Sequence, residues 1–183
     1  MNRTFVTLLV AATTLALFGG GCSVEQTGNA RSEATTETSG PPSSASGAGA
    51  SVLADVKPCD LLSPGEAAQL SLPTPGEARK TAGGQSCEWI DANGGVTANV
   101  LPARSVEDLD YAGAKATSIK IGKYESSKVE APNGALDLCH VVISVADSAS
   151  VQVVGGVKPS STDTAAACER ATKAAELIAP KLP

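Results

Sequence analysis

Ser86-Cys87-Glu88-Trp89-Ile90-Asp91-Ala92-Asn93-Gly94-Gly95-Val96-Thr97-Ala98-Asn99-Val100-Leu101 is the stretch on which the reading of the fold turns. Ser86 to Asp91 has the composition of a strand, Asn93-Gly94 that of a tight hairpin turn, and Val96 to Leu101 that of the returning strand. A two-residue loop at Asn93-Gly94 sets Asp91 opposite Val96, Trp89 opposite Ala98 and Cys87 opposite Val100. Cys87, Trp89, Ala98 and Val100 then share one face, while Glu88 and Asn99 share the other. One face is apolar and one polar, as a sheet packed on one side requires.

Upstream, Leu62-Ser63-Pro64-Gly65-Glu66 signals a helix start: Ser63 caps, Pro64 suits the first turn and Glu66 completes a capping box. A short helix from Pro64 to about Leu70 is predicted, ended by Pro73 and Pro75. Downstream, Ser105-Val106-Glu107-Asp108 repeats the start signal and predicts a second helix to about Ala116, weakened by Gly113. Strands are predicted at Ile119-Lys120-Ile121, Ser127 to Glu130, Ala135 to Val145 and Val151 to Val154, with a turn at Pro132-Asn133-Gly134. A last helix runs from Thr162–Thr164 to Ala179, with Cys168, Ala171, Ala175 and Ile178 on one stripe and Glu169 paired with Lys173. The expected fold class is α+β: an antiparallel sheet with about three helices packed mainly on one face, and two disulfides. No internal repeat is evident.

The chain has 183 residues and a formal net charge of −5, so it presents no basic field for nucleic acid. Both phenylalanines lie among the first twenty residues, leaving Trp89, Tyr111 and Tyr124 as the only later aromatic anchors. The core must be aliphatic and small-residue, which favours covalent staples. Arg3 and the uncharged run Phe5–Phe18 fit a signal peptide, the run being shorter than the roughly 20 residues a bilayer demands. Gly19-Gly20-Gly21-Cys22 resembles a lipobox, with Gly19 where leucine is usual. The expected organisation is a signal peptide at 1–21, a lipidated Cys22 with a Ser/Thr/Ala/Gly-rich tether at 22–51, and one globular domain at 52–183. The tether cannot bury enough apolar area to order itself, and its mean reach is roughly 30 Å. Cys22 would hold the domain at the outer face of the cell membrane; if the box is not used, the protein is secreted.

Beyond Cys22 stand Cys59, Cys87, Cys139 and Cys168, an even number with three connectivities. In the local one, preferred here, Cys59–Cys87 and Cys139–Cys168 each join a helical segment to a strand in their own half. Each bridge is then worth roughly 3 to 4 kcal/mol on a chain-entropy argument. The gaps of 28, 52 and 29 residues contain no Cys-x-x-Cys knuckle, which argues against zinc and against a redox thiol. No metal and no cofactor are expected.

Pro58-Cys59-Asp60-Leu61-Leu62-Ser63, Cys87-Glu88-Trp89, Cys139 within a strand, and Cys168 opening a helix that closes on Pro180-Lys181-Leu182-Pro183 form a combined signature. Over most of residues 55 to 183 the chain resembles the actinobacterial lipoproteins grouped as domain of unknown function 3558. The resemblance implies a lipid-anchored surface protein. It carries no catalytic residues or ligand to transfer.

Little in the chain promises chemistry. His140 is the lone histidine; it adjoins Cys139 in a strand, so their side chains face opposite ways, and no Gly-x-Ser-x-Gly elbow accompanies it. Glu107, Asp108 and Asp110 are read as dipole partners of a helix start, and Gly83-Gly84 and Gly155-Gly156 as turns. No catalytic residue is assigned. One feature suggests binding: Cys139, Val141, Ile143 and Val145 would face the helices, leaving Leu136, Leu138, His140 and Val142 as an apolar opposite face. Such a face is either covered by a third layer or lines a site for an apolar envelope molecule or a protein partner. The expected function is therefore a non-enzymatic binding or interaction module, against an envelope hydrolase or a purely structural or sensory surface domain.

Overall fold

The computed structural model describes residues 52–183 except 82 and 112; the predicted signal peptide, Cys22 and the tether lie outside the described residues. Seven strands are formed: β1 (Glu77–Thr81), β2 (Gly84–Asp91), β3 (Gly94–Leu101), β4 (Lys115–Ile121), β5 (Tyr124–Glu130), β6 (Leu138–Ala146) and β7 (Ala149–Val157). They make one antiparallel sheet in the order β1-β2-β3-β7-β6-β5-β4. Two meanders thus meet along β3 and β7, and residues 102–114 carry the chain from β3 to the far edge.

The expectation of about three helices is overturned. Among the described residues one long helix forms, α2 (Thr164–Ile178), together with the six-residue α1 (Pro64–Gln69) and three single 3₁₀ turns. Residues 105–116 make no helix, although their start signal is satisfied. The Ser105 amide and hydroxyl both donate to Asp108 Oδ2, at 2.8 and 3.0 Å, and the Asp108 amide donates back to Ser105 Oγ at 3.3 Å. The cap closes a turn and stops there. No apolar stripe at helical spacing follows it, and Lys115 is already paired with Glu130 in the sheet. The fold is a seven-stranded sheet with one long helix on one face.

That face, here the front, holds the core. Cys87, Trp89, Val96, Ala98, Val141, Ile143, Val151 and Val153 are all buried and pack beneath α2 and the N-terminal arm, which contributes Leu53, Leu61, Leu62 and Ala67. α2 buries Ala167, Cys168, Ala171, Ala174, Ala175 and Ile178. Its small residues let it lie close on β7, and Gly155 is where the approach is tightest: a Cβ there would sit 2.5 Å from Ala171 N and 2.8 Å from Ala171 Cβ. The two bridges are Cys59–Cys87 and Cys139–Cys168, with Cα separations of 5.0 and 4.8 Å. Each ties a front-face element to the strand below it. The N-terminal arm is further held by Lys181, whose ammonium donates to Leu61 O at 2.7 Å and pairs with Glu66. That contact and the Ser63 donors hold the Glu66 carboxyl at about 2.

The hairpin that opens the sequence reading forms with a different register. Trp89 faces Val96 and Cys87 faces Ala98, a slip of two residues from the pairing expected. Gly94, not Asn93, takes the positive φ, at 98°, and the Asn93 amide donates to Asp91 Oδ1 at 2.7 Å. The side chain of Asp91 thus closes the turn one position earlier. Because the slip is even, every residue keeps its face. Gly84 and the pair Gly155-Gly156 lie within β2 and β7 rather than in turns. β1 escaped the sequence reading because Glu77-Ala78-Arg79-Lys80-Thr81 is exposed throughout and shows no apolar alternation.

Candidate functional site

The back face of the sheet, away from α2, carries the side chains that alternate with the core. The segment from Arg104 to Tyr111 crosses it as a strap. Tyr111 lies edge-on to His140 at 5.6 Å between ring centroids. Gln152 Nε2 donates to the Tyr111 hydroxyl at 2.7 Å and lies 3.3 Å from His140 Nδ1, while Gln152 Oε1 accepts from Asn99 Nδ2 at 2.9 Å. With both its amide hydrogens so directed, Gln152 fixes His140 Nδ1 as an acceptor and the imidazole as neutral. Burial pushes His140 down to about 4 and raises the Tyr111 hydroxyl. Ser150 Oγ donates to Arg104 O at 2.9 Å, pinning the other end of the strap. Beside it lies a hollow of about 340 Å³ of mixed lining, bounded by Thr81, Asn99, Leu101, Arg104, Leu109 and Gln152.

Beyond the strap the face is open. Gly95 on β3 and Gly156 on β7 are directly opposite one another. With no side chain on either, bare backbone forms the floor of an apolar hollow of about 220 Å³. Ile90, Thr97, Leu138 and Val154 wall it, with Asp91 and Asp137 at its rim. Ile90 is 53% exposed. On the far side of Ile90 is a second hollow of about 350 Å³, bounded by Pro73, Pro75, Glu77, Arg79 and Glu88.

A larger depression lies elsewhere, a groove of about 550 Å³ between α2 and β5. Most of its charges are engaged with one another: Glu130 pairs with Lys115 and Lys128 at 3.2 Å each, which lowers its carboxyl, and Glu169 pairs with Lys173 at 2.6 Å. It contains no histidine or hydroxyl–base pair and reads as a solvated, mixed-charge flank.

The four residues singled out in the sequence do not act together. Leu136 is 47% exposed in the turn before β6, Leu138 lines the glycine-floored hollow, His140 sits under Tyr111, and Val142 is fully buried. Tyr111 covers His140 and Val142 is buried, so of the four only Leu138 lines the concave apolar site. Gly95, Gly156, Ile90 and Val154 were missed; the signal was the two glycine pairs inside strand-like stretches, which mark a bare patch of sheet as well as a turn. Among the described residues no group of three His, Cys, Asp or Glu side chains is placed to hold a metal ion. No described helix is long and apolar enough to cross a membrane. Asp108 caps the strap turn rather than a helix.

No curated protein and no solved structure matches the chain. A family model described as a protein of unknown function (DUF3558) matches residues 17–181. The cysteine pairs, the Trp89 hairpin and the C-terminal helix all fall within that match, and the chain belongs to the DUF3558 family.

Proposed function

We propose that the chain is an extracytoplasmic lipoprotein, held at the outer face of the cell membrane by diacylglycerol on Cys22, whose folded region is a non-enzymatic binding or interaction module. The observation that carries the binding part is the uncovered back face around Gly95 and Gly156, where a concave apolar floor is left open, while the apolar side chains of the front face are buried beneath α2 and the N-terminal arm. Two disulfides support an oxidising compartment, since such bridges persist outside the cytosol. The non-enzymatic reading is supported by His140, which is engaged with Gln152 and Tyr111 and faces no nucleophile. The anchoring part is tested by Cys22→Ala, which should move the protein from the membrane fraction to the medium; retention in membranes would refute it. The binding part is tested by filling the hollow with Gly156→Leu, whose strand position is free of positive φ. Native mass spectrometry of protein from its own envelope should find a retained molecule on the unmodified chain and none on the variant. Equal retention, or none on either, would count against the back face.

A further inference from the structure

The glycine-floored hollow is apolar inside and acidic outside, and that pairing selects an occupant. The Asp137 carboxylate is half-buried at its rim and, among the described residues, forms no hydrogen bond or ion pair. Asp91 stands at the opposite lip. Arg170, the nearest guanidinium, is turned to backbone oxygens of Asn93 and Gly156 rather than to either aspartate. Across Ile90, Glu77 and Glu88 share the single cation Arg79, at 2.7 and 3.3 Å, leaving that hollow acidic as well. A purely apolar ligand would leave the Asp137 carboxylate idle, and an anion would be repelled by it and by the excess negative charge beyond Ile90. A side chain with an aliphatic stem and a cationic head satisfies both features.

We infer that the back face takes an extended polypeptide segment through its lysine or arginine side chains, one stem lying over Gly95 and Gly156 with its head at Asp137, and a second reaching Glu77 and Glu88 beyond Ile90. The hollows lie on either side of β2 and are separated by about two strand spacings, roughly 10 Å. That distance matches side chains three residues apart in a polyproline II-like chain, whose three residues per turn put them on one side at a rise of roughly 3.1 Å per residue. The inference rests on the reading of the back face as a binding surface and names the chemistry of its partner.

The test is a ¹H–¹⁵N NMR titration of the purified chain with Gly-Lys-Gly-Gly-Lys-Gly, and with the same peptide carrying norleucine or glutamate for lysine. The lysine peptide should shift the amides of Gly95, Gly156 and Leu138, the glutamate peptide should shift none, and added salt should weaken the effect. Asp137→Asn should weaken lysine-peptide binding by up to about fivefold, the range of a partly exposed ion pair. Norleucine binding as tightly as lysine, or no effect of Asp137→Asn, would overturn the cationic assignment while keeping the face as a binding surface. Failure of all three peptides to shift these amides would overturn both.

Discussion

Replacing Gly155 by alanine adds one carbon, and the structure says where it must go. An ideal Cβ at that position lies 2.5 Å from Ala171 N and 2.8 Å from Ala171 Cβ, with Ala167 O closer still. The obstacles are the backbone and a Cβ of α2, not the far end of a flexible side chain, so the helix must lift by the better part of an ångström. The Cys139–Cys168 bridge, at a Cα separation of 4.8 Å, resists that lift one strand away. Overpacking of this kind costs about 1–3 kcal/mol. Alanine recovers part of this by restricting the unfolded chain, about 0.4–1 kcal/mol. A net loss of about 1 kcal/mol is expected, which at a slope of about 1–3 kcal/mol/M moves the urea midpoint down by about 0.5 M. Gly156 is the internal control: it is the next residue, on the opposite face, and the tightest contact of its Cβ would be with Leu138 Cδ2, at 3.2 Å, its backbone neighbours lying at 3.9 Å or more. That methyl can yield, so Gly156→Ala should change stability by no more than about 0.5 kcal/mol, within the range of an ordinary surface substitution. Equilibrium urea unfolding of the oxidised protein, followed by Trp89 fluorescence, measures both. Equal midpoints for the two variants would refute the claim that close helix–strand approach fixes the front face.

Three further outcomes follow from the same coordinates. Replacing both Cys139 and Cys168 by alanine opens a loop of 29 residues and should cost roughly 3–4 kcal/mol, read as the drop in unfolding free energy against the oxidised parent. His140 is held at about 4 when folded but titrates near 6.5 when unfolded. Between those values only the unfolded chain takes the proton, so stability falls as pH drops from about 6.5 to about 4, by about 2 kcal/mol. His140→Val should flatten that window in a pH series of melts. Ser86 Oγ is buried without a hydrogen-bond partner among the described residues; Ser86→Ala should therefore stabilise the domain by up to about 1 kcal/mol, where a loss of that size would reveal a partner for the hydroxyl.

The parts of the fold legible in the sequence are those set by local rules. The Ser63–Glu66 box starts α1 and the alanine stripe around Ala171 and Ala175 places α2, because capping and a 3.6-residue period are written within one turn or two. The faces of β2 and β3 were legible even though their register was not, since an even slip preserves inside and outside. The misreading at Ser105 has the opposite lesson: a cap signature records hydrogen bonds that a turn satisfies equally well, and only the absent apolar stripe distinguishes the two. The candidate site was mostly hidden. Leu138 was visible as an apolar residue on the wrong side of β6, but the hollow it lines is made by atoms that Gly95 and Gly156 lack, and those meet only because β3 pairs with β7. The strap that removes His140 from view depends on Tyr111 reaching Gln152, a contact between segments 41 residues apart.

The account as a whole depends on the chain leaving the reducing cytosol and keeping its first mature thiol for a lipid. The most direct measurement is the intact mass of the protein taken from cell membranes and alkylated without reduction. The predicted species begins at Cys22, carries diacylglycerol on that residue and takes up no alkylating label at Cys59, Cys87, Cys139 or Cys168. A chain that retains residues 1–21, lacks lipid and is labelled at all five cysteines would contradict both the location and the cross-linked fold.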